Sequence, residues 1–283
     1  MLNVEQSIFA VPGGIGLRTE LSLRSLRLAA THGFLYERTD GQVPGIIFGR
    51  SEDGRHGNFH PLSYRRICSN PQWAKRLEKV HTASKRVRFR SDWQWKELDC
   101  ANSSDALLMN VFCHPKVING AGVRVMLGIE SSATPEFGFR PRTPLLGNKC
   151  DRTEIDMTMG ELMVEAKLTE SDFQTANESL ISRYRDLETV FNLAELPLHN
   201  GKYAGYQLIR GTLAAHATGR SFCVFCDSRR PDLIEGWYMV MRAVRLSELR
   251  CRLKLLTWQE LATGLPADLQ KFLAAKYGIF PAM

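Results

Sequence analysis

The amino-acid sequence predicts an α/β (α+β) fold, in which helices flank a mixed central sheet and a basic N-terminal accessory region precedes the core. The order helix, strand, hairpin strands, helices and strand predicts the core, and a Gly-containing turn marks its hairpin. Charge separates the accessory region, because residues 1–100 hold 16 Lys and Arg against 10 Asp and Glu, whereas the remainder holds 21 against 20. We therefore predict two parts, residues 1–95 and residues 96–283.

Composition indicates a globular protein with an ordinary core. Apolar residues make up 44% of the 283 residues and charged residues 24%, which is usual for folded domains. No stretch approaches the roughly 18 apolar residues that a membrane span requires, and the start lacks the basic lead and apolar run of a signal peptide. Seven scattered cysteines are typical of reduced thiols, so we expect a cytoplasmic protein with no membrane partner.

The first 72 residues predict little regular structure beyond one helix. Leucines between residues 17 and 28 favour a short helix, and we interpret the glycines before them as a turn. Residues 38–72 are rich in Gly, Asp, Asn, Ser and Pro, which favours loops with one small hairpin around residues 46–48. His56 and His60 have no Cys partner at a metal-ligand spacing, so we interpret both as surface histidines.

Residues 72–98 hold the densest mixture of basic and aromatic residues. Arg86, Arg88 and Arg90 alternate with apolar residues, so a strand here would present three guanidinium groups on one face. Arginine suits bidentate contacts to phosphate and guanine, and nearby aromatic rings can stack on bases. These three arginines are our candidate DNA contacts. A solvated strand face over an apolar core is the alternative.

The segment before the central hairpin predicts a helix, a strand and a long connection. Ser103–Phe112 has a helical pattern with a serine or Asn102 as N-cap. Val123–Glu130 is interpreted as the first core strand. Ser131–Asp151 contains three prolines and two glycines and is too long for a plain connection, which is typical of a functional or disordered loop.

Two strands and a tight turn form the predicted hairpin. Ile155–Met159 and Leu162–Leu168 are the strands, and Gly160-Glu161 between them fits a type II′ turn, whose twist matches that of its strands. Pairing Met159 with Leu162 fixes the register of the two strands. Side chains alternate between the faces of a sheet, so the register also fixes which polar residues face each other.

In that register Asp156 faces Glu165, and Lys167 projects from the same sheet face. Like charges directly opposite each other destabilise a sheet, and two carboxylates about 4 Å apart repel by roughly 4 kcal/mol at an effective dielectric near 20. A divalent cation between them would turn the repulsion into a binding site. The alternative is an exposed ion pair between Lys167 and Glu154, which would contribute little to stability.

An Asp on one strand with Glu-x-Lys on the next resembles the PD-(D/E)XK nuclease superfamily, which has the restriction-endonuclease-like fold. Asp156 and Glu165-Ala166-Lys167 carry the resemblance, and Ile155 stands where the signature has Pro. The resemblance implies Mg²⁺-dependent hydrolysis of DNA, with Mn²⁺ as a substitute. It implies that Asp156, Glu165 and the Ala166 carbonyl hold the metal, while Lys167 orients or activates the attacking water and stabilises developing charge.

Other segments resemble a bacterial restriction-endonuclease-like group, among them the helix at Ser103–Phe112. Tyr206-Gln207-Leu208 resembles the helical Gln motif that often lies beside the metal, which makes Gln207 a candidate auxiliary residue. Glu97 is the nearest candidate for the acid that a preceding helix sometimes contributes. A solvated glutamine and an exposed glutamate are the alternatives for these two residues.

The chain beyond the hairpin predicts helices around one buried strand. A capping box at Ser171–Gln174 opens a predicted long helix, and Tyr203–Ala217 predicts a second helix closed by a glycine. Ser221–Cys226 predicts a buried strand in which Cys223 and Cys226 are core cysteines. Beyond it we predict a helix, a last strand and terminal helices at residues 232–249, Leu253–Thr257 and Gln259–Tyr277.

Taken together, these features predict a metal-dependent DNA endonuclease of the restriction or defence class. Its implied partner is DNA, and a homodimer that cuts both strands would fit. One alternative is a DNA repair or recombination nuclease of the same fold, which would recognise structure and not sequence. Another is a catalytically silent nucleic-acid-binding protein, and a third is a structural protein that binds neither DNA nor metal.

Overall fold

The computed structural model describes residues 13–39, 45–81, 96–130 and 133–283. The chain separates into two compact units, the first formed by residues 1–126 with 259–283 and the second by residues 127–258. These boundaries differ from the predicted parts, because residues 96–126 and 259–283 group with the N-terminal residues. Arg86, Arg88 and Arg90 lie outside the described residues.

Helices and a two-stranded ribbon begin the described part of the first unit: α1 (Gly14–His32), β1 (Tyr36–Arg38), β2 (Ile46–Phe48), α2 (Pro61–Ser69), α3 (Pro71–Ala74), α4 (Ser104–Phe112), α5 (Pro115–Ile118) and α6 (Ala121–Leu127). The ribbon is antiparallel, with Tyr36 opposite Phe48, which confirms the small hairpin. The predicted α4 is confirmed as well. Its N-cap is Ser103, whose Oγ accepts the N–H of Ala106 at 3.1 Å.

The strand predicted at Val123–Glu130 is wrong, because residues 121–127 are helical. In a strand, residues 123, 125 and 127 would share one face. Instead, Val123 and Leu127 are buried while Val125 is 79% exposed. Residues four apart lie on one face of a helix, so burial here follows the helical period.

The surface positions predicted for His56 and His60 are also wrong, because both side chains are buried. The His56 ring lies against Phe59 and Tyr64, with centroid distances of 5.1 and 5.4 Å. Its Nε2 lies 3.1 Å from an Asp99 carboxylate oxygen. Aromatic neighbours and a carboxylate therefore replace the water that a surface histidine would contact.

The second unit contains β3 (Pro135–Phe139), β4 (Thr143–Leu145), β5 (Lys149–Asp151), β6 (Ile155–Met159), β7 (Leu162–Ala166), β8 (Thr175–Asn177), α7 (Glu178–Ile181), α8 (Leu187–Val190), β9 (Leu198–His199), β10 (Lys202–Ala204), α9 (Tyr206–Thr218), β11 (Ser221–Cys226), α10 (Pro231–Arg242), α11 (Ser247–Arg250) and β12 (Leu253–Thr257). Three strands lie within the segment predicted as a loop at Ser131–Asp151, so that prediction is wrong. β3 pairs with β6, and β4 pairs with β5, so pairing between strands orders the segment.

A five-stranded sheet of order β12-β11-β7-β6-β3 forms the centre of this unit. β3, β6 and β7 are antiparallel neighbours, whereas β11 runs parallel to both β7 and β12. The sheet is therefore mixed, as predicted, and it is accompanied by helices. A hydrophobic core extends from this sheet to α9 and α10, where the Phe222 ring meets Trp237 edge-on at 5.6 Å.

The β6–β7 hairpin has the predicted register. Met159 pairs with Leu162, Thr158 with Met163, and Met157 with Val164. Gly160 has a φ of 59°, which suits the first central position of a type II′ turn. Glu161 is not among the described non-glycine residues with positive φ, which argues against type I′, where both central residues need it.

The long helix predicted from Ser171 is wrong. The Asp172 carboxylate accepts the N–H of Gln174 at 2.6 Å, and Gln174 itself has a φ of 62°. Left-handed backbone cannot continue a right-handed helix. The chain instead forms β8, which pairs with β10 through Ala176 and Tyr203, before the short α7 and α8.

Two of the remaining predictions need correction, because α9 begins at Tyr206 and not at Tyr203, and the helix predicted over residues 232–249 is divided into α10 and α11. α9 ends at Gly219, whose φ is 73°, and β12 matches the predicted strand residue for residue. Cys223 and Cys226 are buried on β11 and form no disulfide. Two helices, α12 (Trp258–Ala262) and α13 (Ala267–Tyr277), close the chain. Within the described residues, no helix is both long and apolar enough to cross a bilayer.

Candidate active site

The two predicted carboxylates lie at one end of the β6–β7 hairpin. The ladder pairs Met157 with Val164, so Asp156 and Glu165 are the next residues along the two strands. Asp156 is half-buried and Glu165 is buried. The Asp156 carboxylate contacts β7, where its Oδ2 accepts the N–H of Ala166 at 2.8 Å. The hairpin thus brings Asp156 to the middle of the Glu-Ala-Lys sequence.

Lys167 and Glu165 form a buried ion pair. The Lys167 Nζ donates to Glu165 Oε1 at 2.9 Å, and the two side chains are only 7% and 2% exposed. The alternative of a solvated pair between Lys167 and Glu154 does not describe this arrangement. Glu154 instead lies 4.0 Å from the exposed Arg140 guanidinium.

The charges around Lys167 are unbalanced. Burial alone would lower the pKa of its ammonium group, but the carboxylates of Glu165, Glu170 and Asp156 outweigh burial and raise the pKa above its ordinary value. Lys167 is therefore protonated at neutral pH. Three carboxylates around one ammonium leave negative charge in excess, and their oxygens are the ligands that Mg²⁺ and Mn²⁺ prefer. The donor set therefore fits the implied metal.

Main-chain contacts from distant residues hold Lys167 in place. Its N–H donates to the Phe225 carbonyl on β11 at 2.8 Å. Its carbonyl accepts the indole N–H of Trp258 at 2.9 Å. Both partners follow Lys167 by more than 50 residues, so the sequence carried no local sign of them.

Arg230 fixes the turn that follows Lys167. Its guanidinium is fully buried and donates to the carbonyls of Glu170 and Ser171 at 2.7 and 3.2 Å. Asp232 accepts two further hydrogen bonds from it, at 2.9 and 2.7 Å. Sequence reasoning missed Arg230, because a single arginine directly before a helix has no motif.

The two auxiliary candidates differ in their surroundings. Gln207 begins α9 in the same unit as the hairpin, and its N–H donates to the Phe173 carbonyl at 3.0 Å. The Phe173 ring lies 5.7 Å from the Lys167 Nζ. The Gln207 Oε1 is buried with no hydrogen-bond partner, so it can accept one from a bound water. Glu97 belongs to the first unit, in a 3-10 helix at Glu97–Asp99, and its role stays a prediction.

A basic surface lies in the segment between β3 and β6. Arg140, Arg142 and Arg152 line one surface depression, and all three side chains are exposed. Hydrogen bonds from Arg142 and Arg152 lower the pKa of the Cys150 thiol, so these two guanidinium groups converge on one point. We name these three arginines the arginine patch. Such a surface suits a polyanion.

The chain matches the model of one protein family over residues 33–278, and that family is described as "Restriction Endonuclease associating with ARP". The match covers most of both compact units and includes the hairpin with Asp156, Glu165 and Lys167. Neither the curated proteins nor the solved structures contain a match. The match supports a nuclease role and agrees with the resemblance drawn from the hairpin residues. The chain therefore belongs to this restriction-endonuclease-like family.

Proposed function

We propose that this protein is a metal-dependent endonuclease that hydrolyses DNA phosphodiester bonds, and that it serves restriction or defence. One observation carries the proposal: Asp156 contacts Ala166 within a Glu-Ala-Lys sequence whose Glu165 and Lys167 form a buried ion pair. Membership of a restriction-endonuclease-like family supports the same reading. The donor set supports metal-assisted hydrolysis as the reaction class.

The metal would be held by Asp156, Glu165 and the main-chain carbonyl of Ala166. All three supply oxygen, which suits Mg²⁺ and admits Mn²⁺. When bound, a divalent cation polarises a phosphoryl oxygen and makes its water more acidic. The contact from the Ala166 N–H orients the Asp156 carboxylate before any metal binds.

Lys167 supplies a fixed positive charge beside the carboxylates. The carboxylates of Glu165, Glu170 and Asp156 raise the pKa of Lys167 in the metal-free chain. Beside a bound metal, Lys167 would orient or activate the attacking water and stabilise developing negative charge. Glu165 holds its Nζ in place at 2.9 Å. Gln207 offers a buried acceptor for a hydrogen of a bound water.

DNA would be held by basic surfaces outside the proposed metal site. In the second unit the arginine patch supplies exposed guanidinium groups, which suit phosphate oxygens. Arg86, Arg88 and Arg90 are further candidates from the sequence. A homodimer that cuts both strands would fit this function.

A plasmid assay tests the proposal. Supercoiled plasmid with Mg²⁺ or Mn²⁺ should be nicked or linearised by the wild-type chain and left intact by Asp156→Ala and Lys167→Ala. Circular dichroism of both variants would check that they fold. Cleavage that persists at the wild-type rate in either variant would show that Asp156, Glu165 and Lys167 do not form the active site.

The same substitutions separate the alternatives. A silent nucleic-acid-binding protein would bind DNA, keep that affinity in both variants and never cut. A repair or recombination nuclease would cut branched DNA in preference to duplex, and Lys167→Ala would abolish that cleavage too. A structural protein would neither bind DNA nor gain stability from Mg²⁺.

A further inference from the structure

A second polar cluster lies in the first unit, away from the nuclease motif in sequence. His60, His114 and Asp268 each offer a ligand atom, and these atoms all lie within 4.8 Å of one another. His60 is the N-cap of α2, His114 directly precedes α5, and Asp268 is in the first turn of α13. Three separate segments of the chain therefore converge on one point.

The His114 ring has no hydrogen-bond partner that explains its burial. Its side chain is 0% exposed, and neither Nδ1 nor Nε2 makes a hydrogen bond. The Nε2 lies 3.7 Å from Asp268 Oδ2, beyond hydrogen-bond range. Asp268 Oδ1 is also buried and unpartnered. Buried polar groups in native proteins are nearly always satisfied, so the cluster points to a missing partner.

The two imidazole rings lie side by side in the cluster, and burial lowers the pKa of both. Their centroids lie 4.9 Å apart at an angle of 61°. The His60 Nδ1 accepts a long 3.3 Å hydrogen bond from the Leu62 N–H, which leaves Nε2 as its ligand atom.

We propose that His60, His114 and Asp268 form a binding site for one divalent transition-metal ion of the Zn²⁺ class. Two imidazole nitrogens with one carboxylate suit Zn²⁺ or Co²⁺, whereas Mg²⁺ and Ca²⁺ prefer oxygen alone. Ligands of a tetrahedral Zn²⁺ at about 2.0–2.2 Å lie roughly 3.3–3.5 Å apart. Binding therefore draws the three groups together by about 1 Å from separations of up to 4.8 Å.

The site tethers three segments of the first unit. An ion that binds the folded chain and not the unfolded chain stabilises the folded state by mass action. Three protein ligands leave a fourth coordination position open to water. The exposed Lys116 competes with the ion, because its Nζ lies 3.3 Å from Asp268 Oδ2.

Titration of the metal-stripped full-length chain with Co²⁺ and Zn²⁺ tests the site. The exposed thiols, which include Cys68 and Cys251, are first alkylated so that they do not bind metal. We expect one equivalent of Co²⁺ to show the visible absorption of a tetrahedral ion. In an Asp156→Asn background, which has lost a ligand of the proposed nuclease metal, we expect a higher Tm with Zn²⁺ but not with Mg²⁺. Asp268→Asn should abolish the absorption and the Tm gain, whereas the exposed His199→Gln should keep both.

A gain-of-affinity variant protects the test against misfolding of Asp268→Asn. Lys116→Gln removes the competing ammonium group from an exposed position and should tighten Co²⁺ binding by about two- to fivefold, the range of an exposed ion pair. Asp156→Asn should leave the tetrahedral Co²⁺ absorption unchanged. That result would distinguish this site from the proposed nuclease site at Asp156 and Glu165. Absence of the tetrahedral Co²⁺ absorption in the wild-type chain, or an unaltered spectrum in Asp268→Asn, would overturn the proposal.

Discussion

Lys167 shows how much a single side chain depends on its partner. It is buried beside Glu165, and each charge has lost most of its contact with water. Removing one member of a buried pair leaves the other uncompensated, which costs more than the pair itself contributes. The residue-scale predictions concern this buried pair and the pair of the buried Arg230 with the half-exposed Asp232.

The Glu165–Lys167 pair predicts a strong coupling in stability. In the absence of divalent metal, Lys167→Met should lower the free energy of unfolding by about 3–5 kcal/mol, because Glu165 would remain charged and buried. The double variant Glu165→Gln/Lys167→Met should recover much of that loss. Urea unfolding of the two single variants and the double variant measures the coupling, and additive effects would contradict it.

Asp232 predicts a defined pH dependence. Its hydrogen bonds from Arg230 lower its pKa below 3.8, so its contribution to stability is present above pH 4 and is lost as pH falls through the lowered pKa. Because Asp232 is half-exposed, Asp232→Asn should cost about 1 kcal/mol at pH 7. Unfolding experiments at pH 7 and pH 2.5 should show the difference between wild type and variant shrinking at acid pH. An equal difference at both values would refute the assignment.

At the scale of elements, α9 is packed very closely against β11. A Cβ at Gly211 would lie 2.3 Å from the ring of Phe222, which is fully buried between that helix and Trp237. A Cβ at Gly236, on the neighbouring α10, would lie 3.9 Å from its nearest neighbour, the ring of Phe173. Close packing therefore requires glycine at position 211, whereas position 236 has room for a methyl group.

The same substitution at both positions separates packing from backbone flexibility. Gly211→Ala should destabilise the chain by about 1–3 kcal/mol, because the core cannot accept the methyl group. Gly236→Ala should instead stabilise it by about 0.5–1 kcal/mol, since alanine favours a helix. Thermal unfolding of both variants checks the signs, and equal signs would refute the packing argument.

At the scale of the whole molecule, charge predicts how DNA binds. The chain carries a formal net charge of +7, and the second unit presents the arginine patch. Arg152→Gln should weaken DNA binding and reduce the slope of log K against log salt by about 0.9, the effect of one lost phosphate contact. The exposed Arg242→Gln is the matched control and should leave the slope unchanged. Fluorescence anisotropy at several salt concentrations measures both slopes, and equal loss in both variants would argue for a diffuse charge effect.

The sequence by itself determined the features that depend on local rules. The period of two, with a glycine at the turn, was enough to set the register of β6 and β7, whose ladder ends at Met157 and Val164, one residue short of Asp156 and Glu165. The strand at Leu253–Thr257 and the end of α9 at Gly219 followed from propensity and capping in the same way.

Only the tertiary structure decided the features that depend on distant partners. Residues 121–127 became a helix and the chain after Ser171 left its predicted helix, because burial and a left-handed Gln174 outweighed the local pattern. Lys167 is enclosed through hydrogen bonds to Phe225 and Trp258, which no local pattern could indicate. His60, His114 and Asp268 meet across more than 200 residues of chain. Periodicity acts over a few residues, whereas enclosure and convergence are set by which segments pack together.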